Sequence, residues 1–556
     1  MSLFMHKLLR KKTNFSETAE QRLMPKILTV KDLTFFGIAA IIGGGIFSSV
    51  GKACATGGPA VIWLFVICAV ACGFAALCYA EFASRIPISG SAYTYAYASF
   101  GELFAWIIGW ALIMEYAIGN IYIAFSWSGY FVHLLDSINI HLPRWLTVDY
   151  STAKRTYIEF ASSKIASQSN DVKETLRAWN LAPAIGSFKL IFDAPAILIN
   201  ILITLLVYRG ISESKKASNA MVIIKLIIIV TIIVVGVFYI DIENYKPFAP
   251  HGMKGIMEGV AAVFFTFIGF DAISTLAEES KNPKRDLPLG MFYSLLICTV
   301  LYILISLVLT GMVPFNLLNV DDPLAFALGY KGIKWLEYIV SVSAIIAMAS
   351  VLLVFQMGQP RIWMSMSRDG LLPPIFSSIH PKYKTPGFAT IITGLVVGVP
   401  IFFTDENFVL DFTSIGTIFA FILVCGGVLL LPKRVIKEND GFRLWYINGK
   451  YLYPLMLILA AVIIIQTVPT YFAAEIFDSN NYTIFKISHQ LLWLFLGTLS
   501  IFAFIKNFNL IPLLGVSICM YLLTGMKAEN WKWFGIWFAV GLIIYFLYGF
   551  KKSKLQ

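Results

Sequence analysis

Long apolar runs recur along the whole chain, and they constrain its fold more than any other feature. A run of ~20 mostly apolar residues can cross a bilayer as a helix. Because lipid offers no partners for backbone N–H and C=O groups, such runs must be helical. The sequence therefore predicts an all-α membrane protein. Its fourteen candidate spans lie at about 33–56, 60–84, 101–135, 186–208, 217–240, 255–277, 288–314, 334–358, 387–404, 409–431, 451–473, 488–506, 509–526 and 532–550.

The amino-acid composition excludes the common soluble classes. Hydrophobic residues make up 58% of the 556 residues and charged residues only 13%, whereas a soluble domain is about 25% charged. This is too little charge for a soluble enzyme, a coiled coil or a disordered chain. The net charge of +11 lies between the apolar runs. It therefore indicates membrane topology, and we expect no nucleic-acid partner.

The distribution of Lys and Arg predicts the orientation. With the N-terminus inside, the inner segments carry 27 of these residues and the short outer loops carry 8. Because basic residues accumulate on the cytoplasmic side, we expect both termini in the cytoplasm and the protein in the plasma (cell or inner) membrane. The long loop 136–189 would then form short surface helices that cover the outer face. The first run starts near Leu33 without a cleavage site, so it is expected to be a retained span.

Reactive side chains are sparse in this sequence. The seven cysteines form no CxxC pair, the six histidines show no metal-ligand spacing, and no nucleophile motif is present. We therefore expect no catalytic residue, no metal site, no cofactor and no enzymatic activity.

Two spans are interrupted by glycine at comparable positions. Gly43, Gly44 and Gly45 lie within the first span, and Gly269 lies within the sixth. Glycine costs a helix interior about 1 kcal/mol relative to alanine, and unwound backbone at membrane depth survives only where it lines a protein cavity. Interruptions at corresponding positions of two halves are typical of transporter binding sites. The alternative is that the three glycines only allow close helix packing.

The spacing of the interruptions predicts an inverted repeat. Each interrupted span opens a set of five spans, so helices 1 and 6 would be discontinuous in a five-plus-five arrangement. The last four spans would be accessory. The expected segments are a cytoplasmic N-terminal segment 1–32, a first repeat 33–240, a second repeat 255–431, accessory spans 451–550 and a cytoplasmic tail 551–556.

Broken helices expose backbone groups that can bind a small dipolar solute. Amides are free where a second half begins, and carbonyls are free where a first half ends. The amides of Gly44 and Gly45 suit a carboxylate, while the carbonyls near Ile41 and those of residues 265–268 suit an ammonium group. An α-amino acid carries both charges on adjacent groups, so it is the predicted ligand.

A few ionisable residues lie inside the spans, where each is a functional candidate. Lys225, in the fifth span, either snorkels to the cytoplasmic surface or faces the bundle, where it could bind and release a proton. Glu115 could pair with a hydroxyl or with Lys225, or be protonated and structural. Asp271 either caps the restarted helix, which we favour, or joins a gating network. Glu81 and Glu102 are expected to pack against loops.

Four stretches carry a family resemblance, and they occur in order along spans one to ten. They are GIAAIIGGGIF at 37–47, YAEFASRIP with GSAY within 79–93, IGFDA with EESKNP within 268–283, and GQPR with MSRDGL within 358–371. Together these stretches resemble the amino acid–polyamine–organocation superfamily, and in particular its cationic amino acid transporter branch.

The resemblance implies a core similar to that of the leucine transporter, which works by alternating access. Phe270 would close over the substrate as the outer-side gate. Lys225 would occupy the place of a sodium ion in sodium-coupled relatives and couple protons, and Glu115 would matter for transport. The residues that would form the substrate site are Ile41, Gly43, Gly44, Gly45, Phe265, Thr266, Ile268 and Phe270.

The chain also departs from the family pattern. Gly44 stands where relatives often carry Ser, Thr or Ala, so a hydroxyl contact to the carboxylate is missing. Many bacterial members have twelve spans, whereas fourteen are predicted here. The residues of span eight that face the pocket differ as well, so side-chain selectivity does not transfer.

The expected function is import of an α-amino acid by a secondary transporter, coupled to protons. The alternatives are an amino acid or polyamine exchanger on the same fold and, less favoured, a nutrient receptor that does not transport. The expected partners are the amino acid and the lipid bilayer. Whether the protein also has a small single-span partner stays an open question.

Overall fold

The protein is almost entirely helical, which confirms the predicted all-α membrane class. The computed structural model describes residues 7–12, 24–161, 170–185, 188–252, 263–264, 266–320, 322–404, 406–431, 441–467, 484–524, 526 and 528–554. Within these ranges the strands are β1 (Ala184–Ile185) and β2 (Phe188–Lys189), which pair antiparallel.

The helices follow the order of the apolar runs. They are α1 (Val30–Ile41), α2 (Val50–Gly57), α3 (Val61–Arg85), α4 (Ala92–Ser99), α5 (Glu102–Ser137), α6 (Tyr150–Ala161), α7 (Asn170–Leu181), α8 (Ala194–Arg209), α9 (Ile211–Val237), α10 (Pro283–Met312), α11 (Pro323–Tyr330), α12 (Lys334–Arg368), α13 (Gly387–Gly398), α14 (Glu406–Leu430), α15 (Gly449–Thr467), α16 (Ile484–Lys506), α17 (Leu510–Thr524), α18 (Ala528–Ile544) and α19 (Phe550–Lys552).

Helix length separates two groups of apolar helices. In the described part of the chain, eight helical segments are long and apolar enough to cross a membrane: α3, α5, α9, α10, α12, α15, α16 and the segment that contains α18. The apolar helices α8, α13 and α17, and the Ile415–Leu430 part of α14, are shorter. The first and sixth predicted spans are interrupted, so neither is one long helix. The exact number of spans stays a prediction.

The middle of the bundle is built around α1. This helix packs against α9, α10 and α12 and against a 3₁₀-helix, Phe270–Glu279, and α5 packs against α12 and α14. These contacts bring the two interrupted segments together in the core.

The accessory helix α18 attaches to this bundle at an aromatic contact. Trp110 of α5 and Trp537 of α18 stack with their ring centroids 4.6 Å apart. Each indole N–H donates to the other residue's carbonyl, at 2.9 and 3.0 Å. Helices α15 and α16 are mostly exposed to the surroundings of the bundle.

The loop predicted to cover one face does form short helices, α6 and α7. Tyr150 and Trp179 pack around the buried Ala153. Arg144 forms ion pairs with Asp136 and Glu174, which tie the loop to the end of α5. The role of this loop as a cover stays a prediction.

Candidate functional site

The first span is broken where the three glycines predicted it. Helix α1 ends at Ile41, and Ile42 has extended backbone dihedrals (φ −83°, ψ 93°). A π-helical turn, Gly45–Ser49, then leads into α2. Because the carbonyls at the end of α1 have no partner further along the helix, they are available to other groups.

The sixth span is broken at Gly269. This residue has φ +115° and precedes the 3₁₀-helix Phe270–Glu279. A Cβ added at Gly269 would lie 2.9 Å from Cβ of Ala40 on α1, so glycine is needed for both the dihedral angle and the close approach. Phe265, a predicted substrate contact, lies outside the described residues.

The two breaks pack directly on each other. A Cβ added at Gly45 would lie 3.0 Å from Cα of Thr266. The Tyr302 hydroxyl of α10 lies 2.9 Å from the Ile41 carbonyl oxygen and 3.0 Å from that of Thr266. A hydroxyl has a single hydrogen to donate, so it can satisfy only one of these carbonyls at a time. Both carbonyl oxygens can therefore still accept a hydrogen bond from a ligand.

Lys225 points into the core and does not snorkel, because its side chain is fully buried. Its ammonium nitrogen lies 3.2, 3.3 and 2.8 Å from the carbonyl oxygens of Ile38, Ala39 and Ile42, and 2.8 Å from the Ser350 hydroxyl of α12. A cation is favoured at the C-terminal end of a helix, where the unpaired carbonyls and the helix dipole are negative. Lys225 therefore ties α9 and α12 to the broken end of α1.

Glu115 and Asp271 form hydrogen bonds with hydroxyls in the core. Thr417 of α14 donates a hydrogen bond to Glu115 at 2.5 Å. Of the alternatives considered for Glu115, the structure shows pairing with a hydroxyl. Tyr116 of α5 donates to Asp271 at 3.0 Å. The N-cap of the restarted helix is Gly269, which has no side chain. The bond to Tyr116 connects the 3₁₀-helix to α5, as the network alternative requires, and the capping role of Asp271 stays a prediction.

Phe270 is fully buried between aromatic rings. Its ring centroid lies 5.2 Å from that of Phe421 and 6.0 Å from that of Tyr79. The 3₁₀-helix runs from Phe270 toward the beginning of α1, where the Leu28 amide donates to the Glu279 carbonyl at 2.9 Å. That end of the bundle is the predicted cytoplasmic side. Phe270 follows the break directly, and its role as the outer-side gate stays a prediction.

The remaining predicted contacts are also buried at the breaks. A Cβ on Gly43 would meet Val351, and one on Gly44 would be nearest to Ile123. Ile268 is 6% exposed. Two cavities in the described ranges lie elsewhere, one between α3 and α10 and one around Arg209–Glu213.

Polar residues on other helices complete the site, and the sequence analysis missed them. They are Tyr302, Ser350, Thr417 and Tyr116. Each lies in an apolar run and offers a hydroxyl, which is the only signal that the sequence contains. Which of the many span hydroxyls would face the breaks depends on helix rotation, and that is set by packing between distant segments.

Ion pairs close the end of the bundle where α1 begins. Arg361 of α12 contacts both carboxylate oxygens of Glu279 at 3.0 Å, and Arg368 contacts Glu278 at 2.8 Å. These four side chains are buried. The pairs hold the 3₁₀-helix against α12, on the path from the breaks to the predicted cytoplasm.

Two broken helices that meet beside a buried lysine, inside a bundle of apolar helices, fit the class of membrane permeases. The described residues contain no group of three His, Cys, Asp or Glu side chains that could hold a metal. The chain belongs to the amino acid permease family, whose model matches residues 28–496, and a model of the permease C-terminus matches residues 510–553.

Relatives support this assignment along the whole chain. The chain is 35% identical to the methylthioribose transporter of Bacillus subtilis (strain 168), over 99% of this chain and 100% of that protein. It is 36% identical to the branched-chain amino acid permease BcaP of the same organism, over 97% and 96%. It is 30% identical to the human cationic amino acid transporter 4, over 99% and 91%. The protein is therefore a multi-pass membrane transporter and not an enzyme.

Proposed function

We propose that this protein is a secondary transporter that imports an α-amino acid by alternating access and couples import to protons across the plasma membrane. The observation that carries the proposal is the contact of the Lys225 ammonium with three carbonyls at the broken end of α1. A charged lysine has three N–H donors, and a neutral one has two. Loss of the proton therefore loosens α1 from α9 and α12, which links protonation to helix movement.

The substrate class rests on the backbone groups at the two breaks. The first amides of the segment that begins at Gly44 have no acceptor within their own helix, and they suit a carboxylate. The carbonyls of Ile41 and Thr266 suit an ammonium group. Phe265 and Ile268 would contribute further carbonyls, and Phe270 would contribute apolar surface. Relatives named for branched-chain and cationic amino acids support an amino acid as substrate.

Closure over the substrate would involve Phe270, as the outer-side gate, and Asp271. Phe270 packs under Tyr79 and Phe421, and Asp271 is bonded to Tyr116. Movement of the 3₁₀-helix would separate both contacts. Glu115, bonded to Thr417 on α14, would respond to the same movement as a second proton-binding group.

The proposal is tested by uptake into proteoliposomes, with and without an inward proton gradient. We expect the gradient to drive accumulation by the wild-type protein. Lys225→Met keeps most of the side-chain length but removes the charge, and Lys225→Ala removes both. Both variants should lose gradient-driven accumulation but keep some substrate binding and exchange of preloaded substrate. Gradient dependence that is unchanged in Lys225→Met would refute the coupling role.

The same assay separates the alternatives. An exchanger would take up labelled substrate only when the vesicles are preloaded, whatever the proton gradient. A receptor would bind substrate without uptake in either condition. Thermal-shift screening against the common amino acids and methylthioribose identifies the ligand, since binding at 100 times Kd stabilises a protein by about 2.7 kcal/mol. A shift with methylthioribose alone would overturn the amino acid assignment.

A further inference from the structure

An apolar groove of about 680 Å³ lies between α3 and α10, away from the breaks. Its walls run along α3 from Val66 to Ala80 and along α10 from Arg285 to Thr299. Thr299 donates its hydroxyl to the Leu295 carbonyl at 2.7 Å, so it adds no unpaired polar group. The groove suits a hydrocarbon chain.

A short segment closes one end of the groove. Gly441, Phe442 and Trp445 line this end, and the Leu444 amide donates to Glu81 of α3 at 2.7 Å. A Cβ added at Gly441 would lie 2.7 Å from the Ser84 hydroxyl and 3.0 Å from the Lys284 carbonyl. This segment is therefore held against the end of α3 and the beginning of α10.

A positively charged side chain lies beside this segment. The Arg285 side chain lines the groove and is exposed, and it makes no ion pair with any residue in the described ranges. Trp445, 72% exposed, is a residue type that is enriched at the membrane–water interface. The closed end of the groove thus combines a positive charge with an interfacial side chain, at the end of the bundle where α1 begins.

The length of the groove distinguishes between occupants. Fourteen residue steps along each wall correspond to about 21 Å, whereas a spanning helix must cross ~30 Å of hydrocarbon. An acyl chain occupies one leaflet and ends at a headgroup, which matches a groove that is open along its side and charged at its closed end.

We propose that this groove is a binding site for an anionic phospholipid of the leaflet at the α1 end, with an acyl chain between α3 and α10 and the phosphate at Arg285. The site is independent of the proposed transport function. It provides a contact by which membrane composition can act on α10, the helix that carries Tyr302.

Gly73 offers a variant that fills the groove without disturbing the core. A Cβ added at Gly73 meets no atom within 4 Å, so Gly73→Leu would extend into the groove. Gly535 of α18 also has open space around its Cβ position and is outside the groove, which makes Gly535→Leu a matched control. Arg285→Gln removes the charge alone.

The experiment is native mass spectrometry of the purified full chain with phosphatidylglycerol or phosphatidylcholine of identical chains. We expect wild type and Gly535→Leu to retain phosphatidylglycerol about fivefold better than phosphatidylcholine, because one interfacial cation attracts the anionic lipid by about 1 kcal/mol. Arg285→Gln should lose that preference, and Gly73→Leu should lose binding of both lipids. Equal retention of the two lipids by wild type, undiminished binding in Gly73→Leu, or a co-purified single-span peptide displaced by Gly73→Leu would each overturn the proposal.

Discussion

At the residue scale, two neighbouring glycines of the first break have different surroundings. A Cβ at Gly45 would lie 2.9 and 3.0 Å from Cβ and Cα of Thr266, and Cα cannot move without shifting the second break. A Cβ at Gly44 would come no closer than 3.3 Å, to the terminal methyl of Ile123. The two positions thus form a matched pair for testing whether the contact between the breaks matters.

We expect Gly45→Ala to lower the uptake rate by roughly tenfold or more, because overpacking costs ~1–3 kcal/mol and each 1.4 kcal/mol in a barrier is tenfold. Gly44→Ala should stay within about twofold of wild type, because the Ile123 methyl can give way. The measurements are uptake into proteoliposomes and thermal unfolding in detergent. Equal losses in the two variants would show that the contact between Gly45 and Thr266 is not the cause.

Sequence patterns found the backbone positions of this site more readily than its side chains. Three consecutive glycines in an apolar run are rare enough to mark the first break, and Lys225 stands out as a charge in lipid. Tyr302 and Ser350 could not be selected in this way. Their hydroxyls are two among many in the spans, and their role depends on contacts across more than 100 positions of sequence.

At the element scale, two buried ion pairs hold the 3₁₀-helix Phe270–Glu279 against α12. Arg361 and Glu279 are 2% and 1% exposed, so neither charge has water as an alternative partner. Removing one partner of a buried pair leaves the other charge uncompensated and costs about 3–5 kcal/mol. Replacing both by apolar residues of similar size is often neutral for stability.

Arg361→Ala should therefore lower thermal stability in detergent, while Arg361→Met combined with Glu279→Leu should recover most of the loss. Lys246→Ala is the control, because its pair with Glu243 is exposed and worth ~0–1 kcal/mol. If the double variant is as unstable as Arg361→Ala, the packing of these side chains matters more than their charges.

The boundaries of α3, predicted at 60–84, were predicted well because hydrophobicity alone decides them. Helix α10 begins five residues before the predicted start at 288, and α12 continues ten residues past the predicted end at 358, because these helices extend beyond their apolar runs. The 3₁₀ form of residues 270–279 has no sequence signal. The restart itself follows Gly269, whose positive φ ends the preceding turn, and the predicted cap at Asp271 stays a prediction. Capping depends on a backbone dihedral that composition does not reveal.

At the scale of the whole molecule, the class of fold follows from hydrophobicity, but the orientation in the membrane rests on the Lys and Arg distribution alone. All seven cysteines are buried, so the wild-type chain gives little background for thiol labelling. Lys7 and Lys551 are exposed near the two ends of the chain, and Lys154 is exposed on α6 of the long loop. These three positions can report the side of the membrane on which each segment lies.

In intact cells, a membrane-impermeant maleimide should label Lys154→Cys and leave Lys7→Cys and Lys551→Cys unlabelled until the membrane is permeabilised. The reason is that 27 basic residues lie in segments on the side of the termini and 8 in the short loops on the other, and basic loops stay cytoplasmic. Uptake activity of each variant confirms that it is folded. Labelling of Lys7→Cys in intact cells would contradict the predicted orientation and place both termini outside.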